Sequence, residues 1–374
     1  MLLLFLFFVF FPYVDIVNMN VDTQPNAMIM SIIIVMLYLT KVEPKIPHKL
    51  LILLVPCILS LFLLLVDGIT FNAIRSVSNY LSVLFISWAT YIYFRSYQFC
   101  DFVISLKYFI YIWFFVGLVQ FLGWENFGVE ILPRSIGSNI QGRGVVGLSP
   151  EPTFYGLVCL FMLFFSLQQP NKKLTLLLLV QIVIFSRSSM AILLLLILLS
   201  LYVVFMTWPQ KIRFTMFLPL FIGGVFWALS TDQVQSSRAY MMAMTFMESP
   251  EELLNDGSVK ERMEHIKVGL LGFYNNYGLP VGFEKPLGMP RIMSGFGSIL
   301  YELGVFGAII IFSFVFALKK YFKENANLFF VWSSFFVALM FTAIPVAFPL
   351  FGFLLGYLIY FSKHPRHQKL YVAY

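Results

Sequence analysis

Residues 185–206 read FSRSSMAILLLLILLSLYVVFM, and how this stretch is solvated decides the fold. From Ser189 onward it holds no charge, no glycine and no proline. As a helix rising 1.5 Å per residue it measures about 27 Å, close to the ~30 Å of bilayer hydrocarbon. Hydrophobic residues make up 60% of the 374-residue chain and charged residues only 11%. Soluble domains are roughly 45–50% apolar, so this chain cannot cover itself with polar surface and lipid is its solvent. The same stretch opens on Arg187. An arginine inside a membrane segment costs about 2.5–3.5 kcal/mol, so it usually faces a cavity on a functional pathway. Snorkelling to the interface from a helix end is the competing reading.

Working outward, similar runs recur at 1–17, 26–40, 50–66, 79–95, 102–122, 153–168, 173–186, 213–230, 295–318, 328–343 and 346–361. They lack the alternation of a membrane barrel, and hydrocarbon demands that every backbone polar group be paired internally. The expectation is an all-α, polytopic integral membrane protein of about twelve transmembrane helices, eleven if FSRSS is a tight re-entrant turn. The opening MLLLFLFFVFFPYV has no basic region and no small-residue cleavage site, so it reads as a first span. Cys57, Cys100 and Cys159 lie in or beside apolar runs and read as small packing residues, not as a disulfide framework or metal site.

Lysine and arginine set the expected orientation. One set of alternate loops holds Lys41, Lys45, Lys49, Arg95, Lys107, Lys172, Lys173, Lys211, Arg213, Lys319, Lys320 and Lys323, and the tail adds Lys363, Arg366 and Lys369. The opposite short loops hold Arg75, Arg134, Arg143 and Arg187. Both termini are therefore expected in the cytoplasm, and the net charge of +7 is a topology signal that gives no reason to expect nucleic acid. The organisation reads as spans over 1–122, an outward Gly/Arg/Glu loop over 123–152, spans over 153–230, a large outward loop over 231–294, spans over 295–361 and a basic tail over 362–374. Within the large loop, SPEE at 249–252 and SVKE at 258–261 fit the capping box, with NDG at 255–257 as the turn between two helices.

A few charged residues in these surroundings need an explanation. In GLSPEPTFYG (147–156), Ser149 is expected to cap a helix with Pro150 at its first position and Glu151 in the first turn. There Glu151 either serves the helix dipole alone or is held over a reacting hydroxyl. In SVKERMEHIKVGLLG, Arg262, His265, Ile266 and Gly269 share one helical stripe, with Glu261 one turn before His265. That is either a solvated amphipathic helix or an arginine for phosphate beside a histidine for proton transfer. Arg291 precedes the tenth span and Glu302 sits inside it, where a carboxylate needs a polar interior or a structural ion pair. No metal motif and no phosphate-binding G-x-x-x-x-G-K-[ST] loop occurs, so no cofactor is expected and any synthesis must draw on an activated substrate.

GRGVVGLSPEPTFYG resembles the Gly-Arg…Gly-Leu-x-x-Glu-Pro-[Ser/Thr]-x-x-Gly segment of the Wzy-type O-antigen and capsular polysaccharide polymerases. FSRSSMAILLL is similar to the Ser-Arg-[Ser/Thr/Gly]-Ala region they share with O-antigen ligases, and SGFGSILYELGVFG to the Gly-x-Gly…Glu-x-Gly-x-x-Gly start of a late span. The ligases' His, ten residues, Gly spacing is not met from His265, where Asn276 stands. The resemblance implies an inner-membrane enzyme that transfers a glycan from undecaprenyl pyrophosphate to a hydroxyl of an incoming lipid-linked repeat, on the periplasmic face and without metal. It implies Arg143, Arg187, Arg262, Arg291 and Glu302 as pyrophosphate- and glycan-binding residues, and His265 or Glu151 as the base. A chain-length regulator is the implied protein partner. An O-antigen ligase and a polysaccharide flippase or transporter are the alternatives; a structural scaffold would not need Arg187 or Glu302 in apolar surroundings.

Overall fold

The computed structural model describes residues 1–16, 22–41, 47–97, 99–133, 144–169, 171–205, 238–253, 257–283, 292, 294–342 and 344–364. Every regular element among them is helical. In chain order these are α1 (Leu2–Phe10), α2 (Asn26–Leu39), α3 (His48–Leu51), α4 (Leu54–Asp67), α5 (Phe71–Ser96), α6 (Phe99–Phe121), α7 (Pro152–Leu167), α8 (Lys172–Val180) and α9 (Ser189–Phe205). Then follow α10 (Arg238–Glu248), α11 (Pro250–Leu253), α12 (Gly257–Asn275), α13 (Gly295–Leu303), α14 (Ala308–Tyr321), α15 (Ala326–Met340) and α16 (Pro349–Lys363).

Two helices are buried all round and form the axis of the bundle. In α7 every residue from Tyr155 to Ser166 is buried, and in α16 every residue from Pro349 to Phe361. A helix apolar on all faces belongs inside a bundle, and both sequences are of that kind. Around them α1, α5 and α6 contribute rings to a shared aromatic core. Phe102 lies 5.2 Å from Phe94, 5.5 Å from Phe165 and 5.6 Å from Phe353, so α5, α6, α7 and α16 meet at one phenylalanine. The outward faces stay apolar: Phe62, Leu65, Ile104, Phe115 and Phe312 are all more than half exposed. Such a surface suits lipid better than water.

Among the described residues, three helical segments are long and apolar enough to cross a membrane, His48–Asp67, Phe99–Phe121 and Gly295–Tyr321. The apolar helices α2, α7, α9, α15 and α16 are shorter, at 10–17 residues. The expected run 213–230 and the turn at 255–256 lie outside the described residues. The first run differs from expectation. Helix α1 stops at Phe10, ahead of Pro12, and its nine residues reach only about 14 Å. The expected run 79–95 begins early, since α5 starts at Phe71, where the Thr70 side chain accepts the Ala73 N–H at 3.1 Å.

Two segments are broken. The run 173–186 is α8 continued by a π-turn over Gln181–Ser186, and it ends at Arg187, whose φ of 44° is left-handed. The run 295–318 is interrupted by a 3-10 turn at Gly304–Gly307, and Gly304 has φ +55°. Both breaks leave backbone groups that need other partners. Val145 N–H bonds the Phe185 carbonyl at 2.8 Å, and Val305 N–H bonds the Gly278 carbonyl at 2.8 Å. Each broken span is thus closed by a loop.

Candidate functional site

The loop ahead of α7 is held from below by one glutamine. Gln120, on the last turn of α6 and 2% exposed, donates to the carbonyls of Phe127 (2.8 Å) and Gly147 (2.9 Å) and accepts the Gly147 N–H at 2.7 Å. Gly147 has φ +60°, a conformation that glycine adopts at little cost. Residues 144–150 are all buried, so this is a seated segment. The helix start differs from expectation. Ser149 does not cap it; its hydroxyl bonds the carbonyls of Val146 and Glu151, both at 2.7 Å. Glu151 is itself the N-cap residue, with extended backbone, and Pro152 opens the helix. Of the two prolines it is the second that takes the first helical position, because the Ser149 hydroxyl is spent on the preceding turn.

At this end of the bundle lies a cleft of about 250 Å³ between α5, α13 and the segments leading into α2 and α16. Glu302 lines it. Its two carboxylate oxygens accept hydrogen bonds from Ser76 Oγ (2.9 Å) and the Tyr80 hydroxyl (2.6 Å), both on α5. Among the described residues, the polar interior that Glu302 requires is supplied by this hydroxyl pair. Arg75, Asn72 and Asn79 on the same helix line the cleft, and Asp22 approaches from the segment before α2. Phe154, from the first turn of α7, completes the wall. Its ring lies 5.5 Å from that of Tyr13, whose hydroxyl is within electrostatic range of both Asp22 and Glu151. Glu151 thus stands at the rim of the cleft, one turn from its lining.

His265 is on the far side of α13. Helices α12 and α13 cross where Gly269 meets Gly297, so closely that a Cβ on Gly269 would lie 2.6 Å from the Gly297 Cα. This seam buries His265, with its Nε2 3.7 Å from Glu261 Oε1. The predicted stripe exists: His265 and Gly269 are buried and Arg262 and Ile266 half-buried. It faces α13 and does not line the cleft. The second capping box is not formed as expected, since α12 already begins at Gly257 and Ser258 lies inside it. The helix of the first capping box, α11, does open at Pro250, and α10 precedes it within the same loop.

Arg187 is half-buried. Its Nε donates to the Ile184 carbonyl at 3.1 Å and its guanidinium lies 5.5 Å over the Phe121 ring. It belongs to the same end of the bundle, since the neighbouring Ser188 bonds Thr153 at 3.2 Å, but it is not in the cleft wall. Arg143 and Arg291 lie outside the described residues. The structure thus brings Glu302 and, at the rim, Glu151 to one cleft, whereas His265, Arg262 and Arg187 do not line it. Arg75, Asn72, Asn79 and Asp22 were not singled out from the sequence as site residues. The usable signal was Thr70, an N-cap residue that starts α5 two turns early and makes FNAIRSVS helical. Among the described residues no cluster of three or more His, Cys, Asp or Glu side chains could hold a metal ion.

No protein-family model, no curated protein and no solved structure matches this chain.

Proposed function

We infer that the chain is a membrane glycosyltransferase that polymerises oligosaccharide repeats carried on undecaprenyl pyrophosphate into O-antigen or capsular polysaccharide. The observation that carries the reading is the cleft that Glu302 and Arg75 both line beside apolar walls. Pairing charge with apolar surface suits a sugar on a lipid anchor. In this reading about twelve spans place both termini in the cytoplasm of a bacterial inner membrane, and the cleft opens on the periplasmic side.

The chemistry follows from that substrate. An acceptor hydroxyl oxygen attacks the anomeric carbon of the growing chain, the bond from that carbon to the pyrophosphate oxygen breaks, and undecaprenyl pyrophosphate leaves with the electron pair. Arg187, Arg143, Arg262 and Arg291, now joined by Arg75, supply positive charge for the leaving pyrophosphate. Glu302, fixed by Ser76 and Tyr80, orients the acceptor. The hydroxyl proton goes to a base, and the rim position of Glu151 favours it over His265, which is buried behind α13.

The two broken segments, at Gln181–Arg187 and Gly304–Gly307, favour a second reading. Interrupted helices flank the substrate sites of many transporters. Deleting the gene and resolving surface glycolipids on a gel separates the readings. A polymerase leaves core carrying a single repeat and no ladder. A ligase leaves polymer on its lipid carrier and none on the core, and an intact ladder refutes both enzymes.

A further inference from the structure

At the opposite end of the bundle lies a groove with a different character. The cleft uses the beginnings of α13 and α16, through Ser298 and Pro349; the groove uses the ends of α14 and α16, through Lys319, Lys320 and Ser362, with the start of the α3–α4 segment. It encloses about 660 Å³, well within the roughly 300–1,000 Å³ of small-molecule sites. Its walls are apolar, built from Ile52, Phe312, Phe316 and Ile359. Phe312 is 71% exposed, so the groove is open along its side to whatever surrounds the bundle.

The mouth of the groove is basic. Lys49, Lys319 and Lys320 line it, and both Lys320 and Lys363 lie close enough to act electrostatically on Lys49. Lys49 Nζ donates to Ser362 Oγ at 3.3 Å, and Lys320 Nζ lies 4.3 Å over the Phe316 ring. Among the described residues no carboxylate lies within ion-pair distance of Lys49, Lys319 or Lys320. Like charges gathered at one end of an apolar trough repel one another unless an anion sits between them. The anion must carry a chain that fills the trough.

We propose that this groove binds an anionic phospholipid, with an acyl chain along Ile52, Phe312, Phe316 and Ile359 and the phosphate between Lys49, Lys319 and Lys320. The site is independent of the sugar-transfer reading and requires only that the protein reside in a membrane. Basic pockets between helices hold acidic headgroups in this way.

The test is native mass spectrometry of the full chain in detergent, titrated with phosphatidylglycerol or with phosphatidylcholine of the same acyl chains. Phosphatidylglycerol is expected to be retained preferentially. Lys49→Gln and Lys320→Gln should each weaken it roughly fivefold, as about 1 kcal/mol per lysine implies. Lys49→Arg with Lys320→Arg should restore it, and Lys107→Gln with Lys172→Gln, elsewhere on the surface, should leave it unchanged. Equal retention of phosphatidylcholine overturns the proposal, as does undiminished phosphatidylglycerol binding by the double glutamine variant. Displacement by millimolar inorganic phosphate would mean that the headgroup binds without the groove and would equally overturn it. So would a chain that dimerises as lipid is lost, which would assign the groove to a second copy.

Discussion

Gln120→Leu is the most informative single change, because one side chain makes three hydrogen bonds to a loop that the proposed chemistry needs. Leucine fits the apolar surroundings of α6 but leaves the Gly147 N–H and the carbonyls of Gly147 and Phe127 without their partner. Net hydrogen bonds are worth about 1 kcal/mol each in proteins, and nearer 0.6 between membrane helices. Three of them stabilise the seated loop by about 2–3 kcal/mol. Opening of residues 144–150 should therefore become roughly 30- to 150-fold more frequent, since RT is about 0.6 kcal/mol and exchange follows the open population. The assay is hydrogen–deuterium exchange of a peptide covering 144–153 in the detergent-solubilised protein. Helices α7 and α16 should keep their protection, which separates local loosening from global unfolding. On complementation the variant should give a sparse, short glycan ladder, because Glu151 sits at the end of that loop. Exchange within threefold of wild type would refute the reasoning: Gln120 would then be a passenger and Gly147 would be held by packing alone.

The remaining predictions concern charge. Glu302→Gln keeps a partner for both Ser76 and Tyr80, so the protein should solubilise with an unchanged thermal midpoint yet lose at least tenfold in polymer formed. Glu302→Ala should lose the ladder and lower the midpoint as well, because the buried Tyr80 hydroxyl and the half-buried Ser76 hydroxyl lose their partner, at about 1 kcal/mol or more each. Equal ladders from wild type and Glu302→Gln would remove the charge from the mechanism. Arg187→Gly relieves a left-handed backbone that costs a non-glycine residue about 1 kcal/mol, so its midpoint should hold or rise while its ladder disappears. Arg187→Lys keeps the charge and should retain partial length; a normal ladder from Arg187→Gly would show that Arg187 only ends the π-turn.

Helical character was legible because hydrocarbon leaves the backbone one local solution, and the apolar runs declare it. Boundaries were legible where the chain is punctuated, as at Pro250 and at Gly295 after the Ser294 cap. They failed where a polar residue has two uses. Ser149 looks like a cap, but the turn before it takes its hydroxyl, and the helix starts at the next proline. The first turns of α5 look like a loop because Asn72, Arg75 and Ser76 are polar, yet they are helical and line the cleft with Glu302, which Ser76 bonds directly. Gln120 and Gln181 are single amides in apolar runs, and each has a partner more than twenty residues away. Gln181 Oε1 receives the Tyr155 hydroxyl at 3.0 Å and makes no sense without α7 beside it. The π-turn that follows has no sequence signature beyond the Arg187 break.

The position of α13 determines how any loss of function at His265 must be interpreted. Its front face carries Ser298 and Glu302 into the cleft, and Gly297 on its other side lies against the backbone of His265. The loop after α12 is stitched to the same helix, through Val281 N–H to the Tyr301 carbonyl at 2.9 Å, and to α4 through Phe283 N–H to Asp67 Oδ2 at 2.6 Å. A change at His265 therefore reaches Glu302 through one packed helix, with no proton transferred. Substituting alanine for His265 would abolish polymer on either account and distinguish nothing. Gly269→Val, which removes no titratable group, forces α12 away from α13 at the Gly297 crossing. If it stops polymer formation as completely as the loss of His265, the histidine acts by holding α13 against α5. If it leaves polymer while His265→Ala does not, the imidazole itself takes part.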